Sequence, residues 1–182
     1  MSLYSFTPLQ TDHFPLLLQW LTAPHVHKSW DPQIEWNEKL VAEKYRPYVA
    51  GYKLVNGKKQ PIHAFVIGFE EKPIGYIQLY EAILFPRQGY LLEEQLPAEL
   101  APYKLAAIDL FLGEPSVLGK GHGARAIEQF LQEHAQSRFD GCIVDPEIEN
   151  WAAIRTYEKA GFVHVKQLYI GAQVLELMLK PC

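Results

Sequence analysis

The sequence predicts a mixed α/β (α+β) fold, and three observations carry that expectation. Apolar runs of strand length recur between turn residues, as in Ile62–Phe69 and Ile74–Tyr80. Segments with helical period lie between such runs. One strand, "AAIDLFLG", passes through a glycine-rich turn directly into a helix. The implied order, β-α-α-β-β-loop-β-α-β-α-β-β, calls for a mixed sheet with helices packed on it.

Each element has a local reason. "YSFTPL" reads as a short strand, and Thr11 or Asp12 offers an N-cap for the apolar run "HFPLLLQWL". "HVHKSWDP" reads as a loop, and "IEWNEKLVAEKYRPYV" as a helix disrupted at Pro47. Ile62–Phe69 and Ile74–Tyr80 form a hairpin around a charged turn containing Lys72 and Pro73. Residues 81–105 carry three prolines and no sustained period, so they read as a long irregular excursion. Beyond the glycine turn, Ala124, Ile127, Phe130, Leu131 and His134 share one helix face. "FDGCIVDP" is a strand, and "NWAAIRTYEKAG" a helix closed by Gly161. "FVHVKQLYI" and "VLELMLK" make a closing pair of strands.

A length of 182 residues suits one domain, residues 1–182, with a core large enough to need no staples. No apolar run approaches the roughly 20 residues of a membrane span, and "FPLLLQWL" has no basic leader. Cys142 and Cys182 make no disulfide framework, which points to a reducing cytoplasmic setting. The net charge of −4 is uneven: residues 1–69 carry +2, residues 70–114 carry −5, and the remainder −1. That pattern excludes the basic stripe of a nucleic-acid binder and suits a cationic ligand beside the middle segment. The histidines lack zinc-ligand spacing, and no G-x-S-x-G is present, so neither a metal site nor covalent catalysis is expected.

Gly119, Gly121 and Gly123, in "LGKGHGA", can take positive φ and leave no Cβ in the way of a ligand. A helix starting there directs unsatisfied N–H groups and a partial positive charge at an anion such as pyrophosphate. The spacing is neither that of the Walker P-loop nor of the dinucleotide fingerprint.

"LGKGHGA", with Asn150 opening the next helix and "AIRTYEKAGF" closing it, resembles the GNAT family of acetyl-CoA-dependent N-acetyltransferases. With "LLQWLTAPHVHKSW", "KPIGYIQLY" and "QGYLLEE", the chain is similar to the aminoglycoside 6'-N-acetyltransferases from about residue 15 to 170. The resemblance implies a twisted, mostly antiparallel sheet flanked by helices, with an acetyl-CoA cleft between two central parallel strands. It implies that Leu118, Gly119, Lys120, Gly121, His122, Gly123 and Ala124 hold the pyrophosphate, mainly by backbone amides. Phe111 would lie along the pantetheine arm, and Asn150 is a coenzyme contact or a plain N-cap.

The same resemblance makes Asp109 the carboxylate that takes the amine proton and Tyr157 the acid at the thioester sulfur. An aspartate in an apolar strand is chemically conspicuous in its own right. Glu81, Glu93, Glu94 and Asp145 would hold the ammonium groups of a small cationic substrate. Trp30 would either cover a sugar ring or simply pack. The family often has Arg or Gln where Leu118 stands, and an Asp where Gln88 stands. The expected partners are acetyl-CoA and an amine, with no metal, nucleic acid or membrane. Monomer and homodimer both remain open, as do another amine acceptor and a non-catalytic sensor.

Overall fold

The computed structural model describes residues 3–86 and 96–182. Its strands are β1 (Tyr4–Pro8), β2 (Tyr52–Val55), β3 (Lys58–Phe69), β4 (Lys72–Glu81), β5 (Leu105–Leu112), β6 (Gly141–Val144), β7 (Val163–Ile170) and β8 (Gln173–Pro181). The helices are α1 (Phe14–Thr22), α2 (Pro24–His27), α3 (Glu38–Val49), α4 (His122–His134) and α5 (Trp151–Lys159). The sheet follows the order β1-β3-β4-β5-β6-β8-β7, with β2 paired to β3. β1–β3, β2–β3, β6–β8 and β7–β8 are antiparallel, whereas β5 and β6 run parallel. The mixed, mostly antiparallel sheet with a parallel pair is therefore present.

The chain forms two compact units, Met1–Gln78 with Leu110–His122, and Leu79–Asp109 with Gly123–Cys182. In the first, several turn chemistries differ from expectation. Asn56 and Gly57 both have positive φ, 49° and 75°, and close the β2–β3 hairpin from Tyr52–Pro61 to Val55–Lys58. An Asn-Gly pair is suited to such a turn, because both positions require left-handed backbone. The β3–β4 turn is made by Glu70 and Glu71, at φ 48° and 61°, while Lys72 and Pro73 already belong to β4.

α1 is not capped by Thr11 or Asp12. Those residues lie in a 3₁₀ turn, Thr11–His13, and Pro15 occupies the first turn of the helix, where its missing N–H costs nothing. Part of "HVHKSWDP" is helical, as α2. α3 begins when the Asn37 side chain accepts from the Leu40 N–H at 3.1 Å, and it runs through Pro47 to Val49. So near the C-terminus, proline removes one hydrogen bond without ending the helix.

The core of this unit is aromatic. Tyr76 is fully buried and stacks on Phe111 at 5.5 Å between centroids, while Trp20 meets Phe111 edge-on at 6.2 Å. Gly113 exists to make room: a Cβ there would stand 2.1 Å from the Trp20 ring. The Trp20 indole then donates to Glu114 Oε1 at 2.8 Å, fixing the chain where it leaves β5.

In the second unit, Leu105–Ile108 of β5 and all of β6 are buried. α4 buries Ala124, Ile127, Phe130 and Leu131 of the expected face, with His134 half-buried, and Ala126 is buried beside them. A large apolar side chain buried this fully contributes about 1.5–3 kcal/mol. The parallel register runs from Leu105–Gly141 to Ala107–Ile143. Asp109 stands two residues beyond the last pair.

Candidate active site

The candidate site extends outward from that aspartate. Asp109 is half-buried, and the Tyr80 hydroxyl donates to its Oδ2 at 2.8 Å. Tyr80 comes from the end of β4, is itself buried, and packs against Phe85 at 4.5 Å between centroids. Tyr80, Ala82, Phe85, Ala107, Ile143, Val144 and Asp145 line a small, partly open cleft. Tyr80 therefore joins the Asp109 carboxylate to a cleft whose acidic wall is Asp145. Sequence reasoning missed Tyr80, since a tyrosine ending an apolar strand is indistinguishable from core. Its one available signal was a hydroxyl that needs a partner once buried.

Tyr157 is positioned by the end of its helix. The N–H of Gly161 bonds to the Glu158 carbonyl and that of Phe162 to the Tyr157 carbonyl, both at 3.0 Å. Gly161 has φ 88°, and the Phe162 ring meets the Tyr157 ring at 5.5 Å. These are the two hydrogen bonds and the apolar contact of a Schellman motif. "YEKAGF" is thus a positioning device: the glycine reverses the chain and the phenylalanine braces the tyrosine.

At the glycine turn, Gly119 and Gly121 take φ 72° and 79°, and a Cβ on either would meet nothing within 4 Å. Gly123 lies inside α4, so two of the three glycines supply the turn. Leu118, Lys120 and both turn glycines are exposed, whereas His122 and Ala124 are buried. The His122 imidazole turns inward to Tyr4, leaving only its backbone for a coenzyme. Open space in front of a 13-residue helix fits a pyrophosphate held by main-chain donors.

The remaining candidates divide. Asn150 Oδ1 accepts from the Ala153 N–H at 3.2 Å, an ordinary N-cap. Glu81 is half-buried and faces Lys104 Nζ at 3.7 Å. Phe111 and Trp30 pack into the aromatic core, with centroids 4.9 Å apart, and the Trp30 indole donates to Tyr45 Oη at 3.1 Å. Gln88, Glu93 and Glu94 lie outside the described residues. No group of three or more potential metal ligands occurs among the described residues, and none of their helices is long and apolar enough to cross a membrane.

The acetyltransferase (GNAT) domain family matches residues 10–170. The chain belongs to the GNAT acetyltransferases. The chain is 33% identical over 158 residues to aminoglycoside N(6')-acetyltransferase type 1 of Klebsiella pneumoniae, covering 85% of this chain and 71% of that protein. The structure of AAC(6')-Ib in complex with ribostamycin and coenzyme A superposes with a TM-score of 0.80 at 23% identity, covering 98% of this chain and 93% of that one. Spermidine N-acetyltransferase from Vibrio cholerae, crystallised with coenzyme A and spermine, has a TM-score of 0.70 at 17% identity, covering 100% and 96%. The fold is thus shared by acetyltransferases named for different amines, and it leaves the acceptor to be argued from the site.

Proposed function

We propose that this GNAT chain, residues 1–182 acting as one domain, moves the acetyl group of acetyl-CoA to the 6'-amine of an aminoglycoside. The observation that carries the reading is Tyr80, which lines a cleft with Asp145 and donates its hydroxyl to Asp109. The thioester supplies the activated acetyl group, and the chain's own residues move the protons. The amine nitrogen forms the new bond to the acetyl carbon as the carbon–sulfur bond breaks. Asp109 takes the proton the amine loses, directly or through a water. Tyr157 returns a proton to the departing sulfur.

Leu118, Gly119, Lys120 and Gly121 of the turn hold the pyrophosphate together with His122, Gly123 and Ala124 at the start of α4. Asp145 takes a distal ammonium by a charge-assisted hydrogen bond. Transfer is direct. Burial pushes the Cys142 thiol well above its usual range, helped by neighbouring Cys182 and Asp109. Burial also raises the Cys182 thiol, so neither thiolate is favoured as a nucleophile.

Thiol release is to be followed with kanamycin, ribostamycin and spermidine as acceptors at fixed acetyl-CoA. The aminoglycosides saturate at low concentration and spermidine does not. The opposite order overturns the acceptor assignment, and Gln88 in place of an aspartate is the feature that favours that second reading. Asp109→Asn and Tyr157→Phe each cut kcat; unchanged turnover in both removes their roles.

A further inference from the structure

His122, the residue after the glycine turn, packs in a ring cluster with Tyr4 and Phe69 from distant parts of the sequence. The Tyr4 hydroxyl and His122 Nδ1 are hydrogen-bonded at 2.9 Å, 118 residues apart. Tyr4 is 3% exposed and His122 8% exposed. Phe69, which pairs with Tyr4 across β1 and β3, meets the imidazole edge-on at 4.5 Å between centroids. Tyr4 and Phe69 are themselves 5.5 Å apart, so three rings close around one another.

Of the six residues Val117–His122, only the two at the ends are buried; the four between them are exposed. The turn is therefore an arch on two posts, and the second post is also the first residue of α4. Gly119 and Gly121 give this arch no side-chain packing, since nothing lies within 4 Å of where a Cβ would be. Glycine also has the most backbone freedom to lose. An arch so built keeps its N–H groups aimed only if its ends are fixed, and preorganised donors bind an anion better than donors that must first be ordered.

We propose that Tyr4 is a positioning residue for pyrophosphate binding, acting through His122 on the backbone of the glycine turn. The inference rests on the acetyl-CoA reading above. Neither side chain touches the coenzyme: the ring cluster sets the arch, and the arch holds the phosphates. The effect is confined to the donor, so the acceptor's saturation and the chemical step do not depend on it.

The test is calorimetric titration of the full chain with coenzyme A and, in parallel, with pantetheine, which has no pyrophosphate. Tyr4→Phe keeps the ring cluster and removes one hydrogen bond. It is expected to weaken coenzyme A about fivefold and to leave pantetheine unchanged. In turnover assays KM for acetyl-CoA rises by a similar factor, while kcat and the KM of the amine stay constant. His122→Leu gives the same loss, and combining it with Tyr4→Phe adds nothing further. His122→Gln, which keeps a hydrogen-bonding group, recovers part of the affinity. Equal coenzyme A affinity in wild type and Tyr4→Phe overturns the inference. So does parallel weakening of coenzyme A and pantetheine. Wild-type protein that binds no coenzyme A overturns the reading beneath it instead.

Discussion

Tyr80→Phe isolates the contact that distinguishes Asp109 from a carboxylate in a strand. The substitution removes one oxygen and keeps the ring, so the packing on Phe85 at 4.5 Å survives and no cavity opens. What is lost is a 2.8 Å hydrogen bond to a carboxylate from a tyrosine that is 9% exposed. Hydrogen bonds to charged groups contribute about 1.5–3 kcal/mol. Asp109 is only half-buried, so water takes up part of the loss and the lower end applies. At about 1.4 kcal/mol per factor of ten, kcat falls about tenfold. The KM of acetyl-CoA does not change, because Tyr80 is not part of the glycine turn proposed to hold the coenzyme. The decisive assay repeats the substitution in an Asp109→Asn background. Contacting residues couple, so there Tyr80→Phe costs less than about twofold. The reasoning is refuted if it costs the same tenfold with Asp109 absent, or if kcat stays within twofold in the wild-type background.

Three further outcomes follow from the geometry. Gly161→Ala places a Cβ at φ 88° and costs about 1–2 kcal/mol, read as a fall in melting temperature, with Gly161→Asn losing less. Gly113→Ala drives a Cβ to 2.1 Å from the Trp20 ring and costs about 2–3 kcal/mol, roughly 5–10 °C for a chain this size by thermal denaturation. His164 sits between Glu158 and Glu176, 2.9 Å from each, and its hydrogen bonds to the two carboxylates, Glu158 foremost, raise its pKa above 6.5. A raised pKa means that the charged imidazole stabilises the fold most below 6.5 and loses that contribution as pH climbs through the raised value. His164→Gln therefore flattens the decline in melting temperature across that window, and an NMR titration of the ring checks the direction. A ring that titrates below 6.5 overturns the account.

The order of strands and helices was legible because period and length distinguish them without tertiary information. Turn handedness was less so. Glu70 and Glu71 hold positive φ without being glycine or asparagine, so the β3–β4 turn was displaced by two residues toward the more obvious Lys72-Pro73. β2 was missed although Asn56-Gly57 announces its hairpin, since Tyr52–Val55 is too short and mixed to read as a strand alone. The site divides along similar lines. Asp109 and the glycine turn were visible because an acid in an apolar strand and a run of glycines are locally anomalous. Tyr80 and Tyr4 were not, because a tyrosine among apolar residues discloses nothing until its hydroxyl finds a partner 29 or 118 residues away.

Gly113 and the pair Gly119 and Gly121 are glycines for opposite reasons. At Gly113 the constraint is volume, because the Trp20 ring already occupies the place of a methyl group. At Gly119 and Gly121 it is chirality, because the space is empty and only the sign of φ is demanding. Asparagine, which tolerates the left-handed region, is therefore the least costly replacement in the turn, while at Gly113 no side chain is admissible. The chain's tolerance to substitution is thus set by handedness at the glycine turn, and by size at the end of β5.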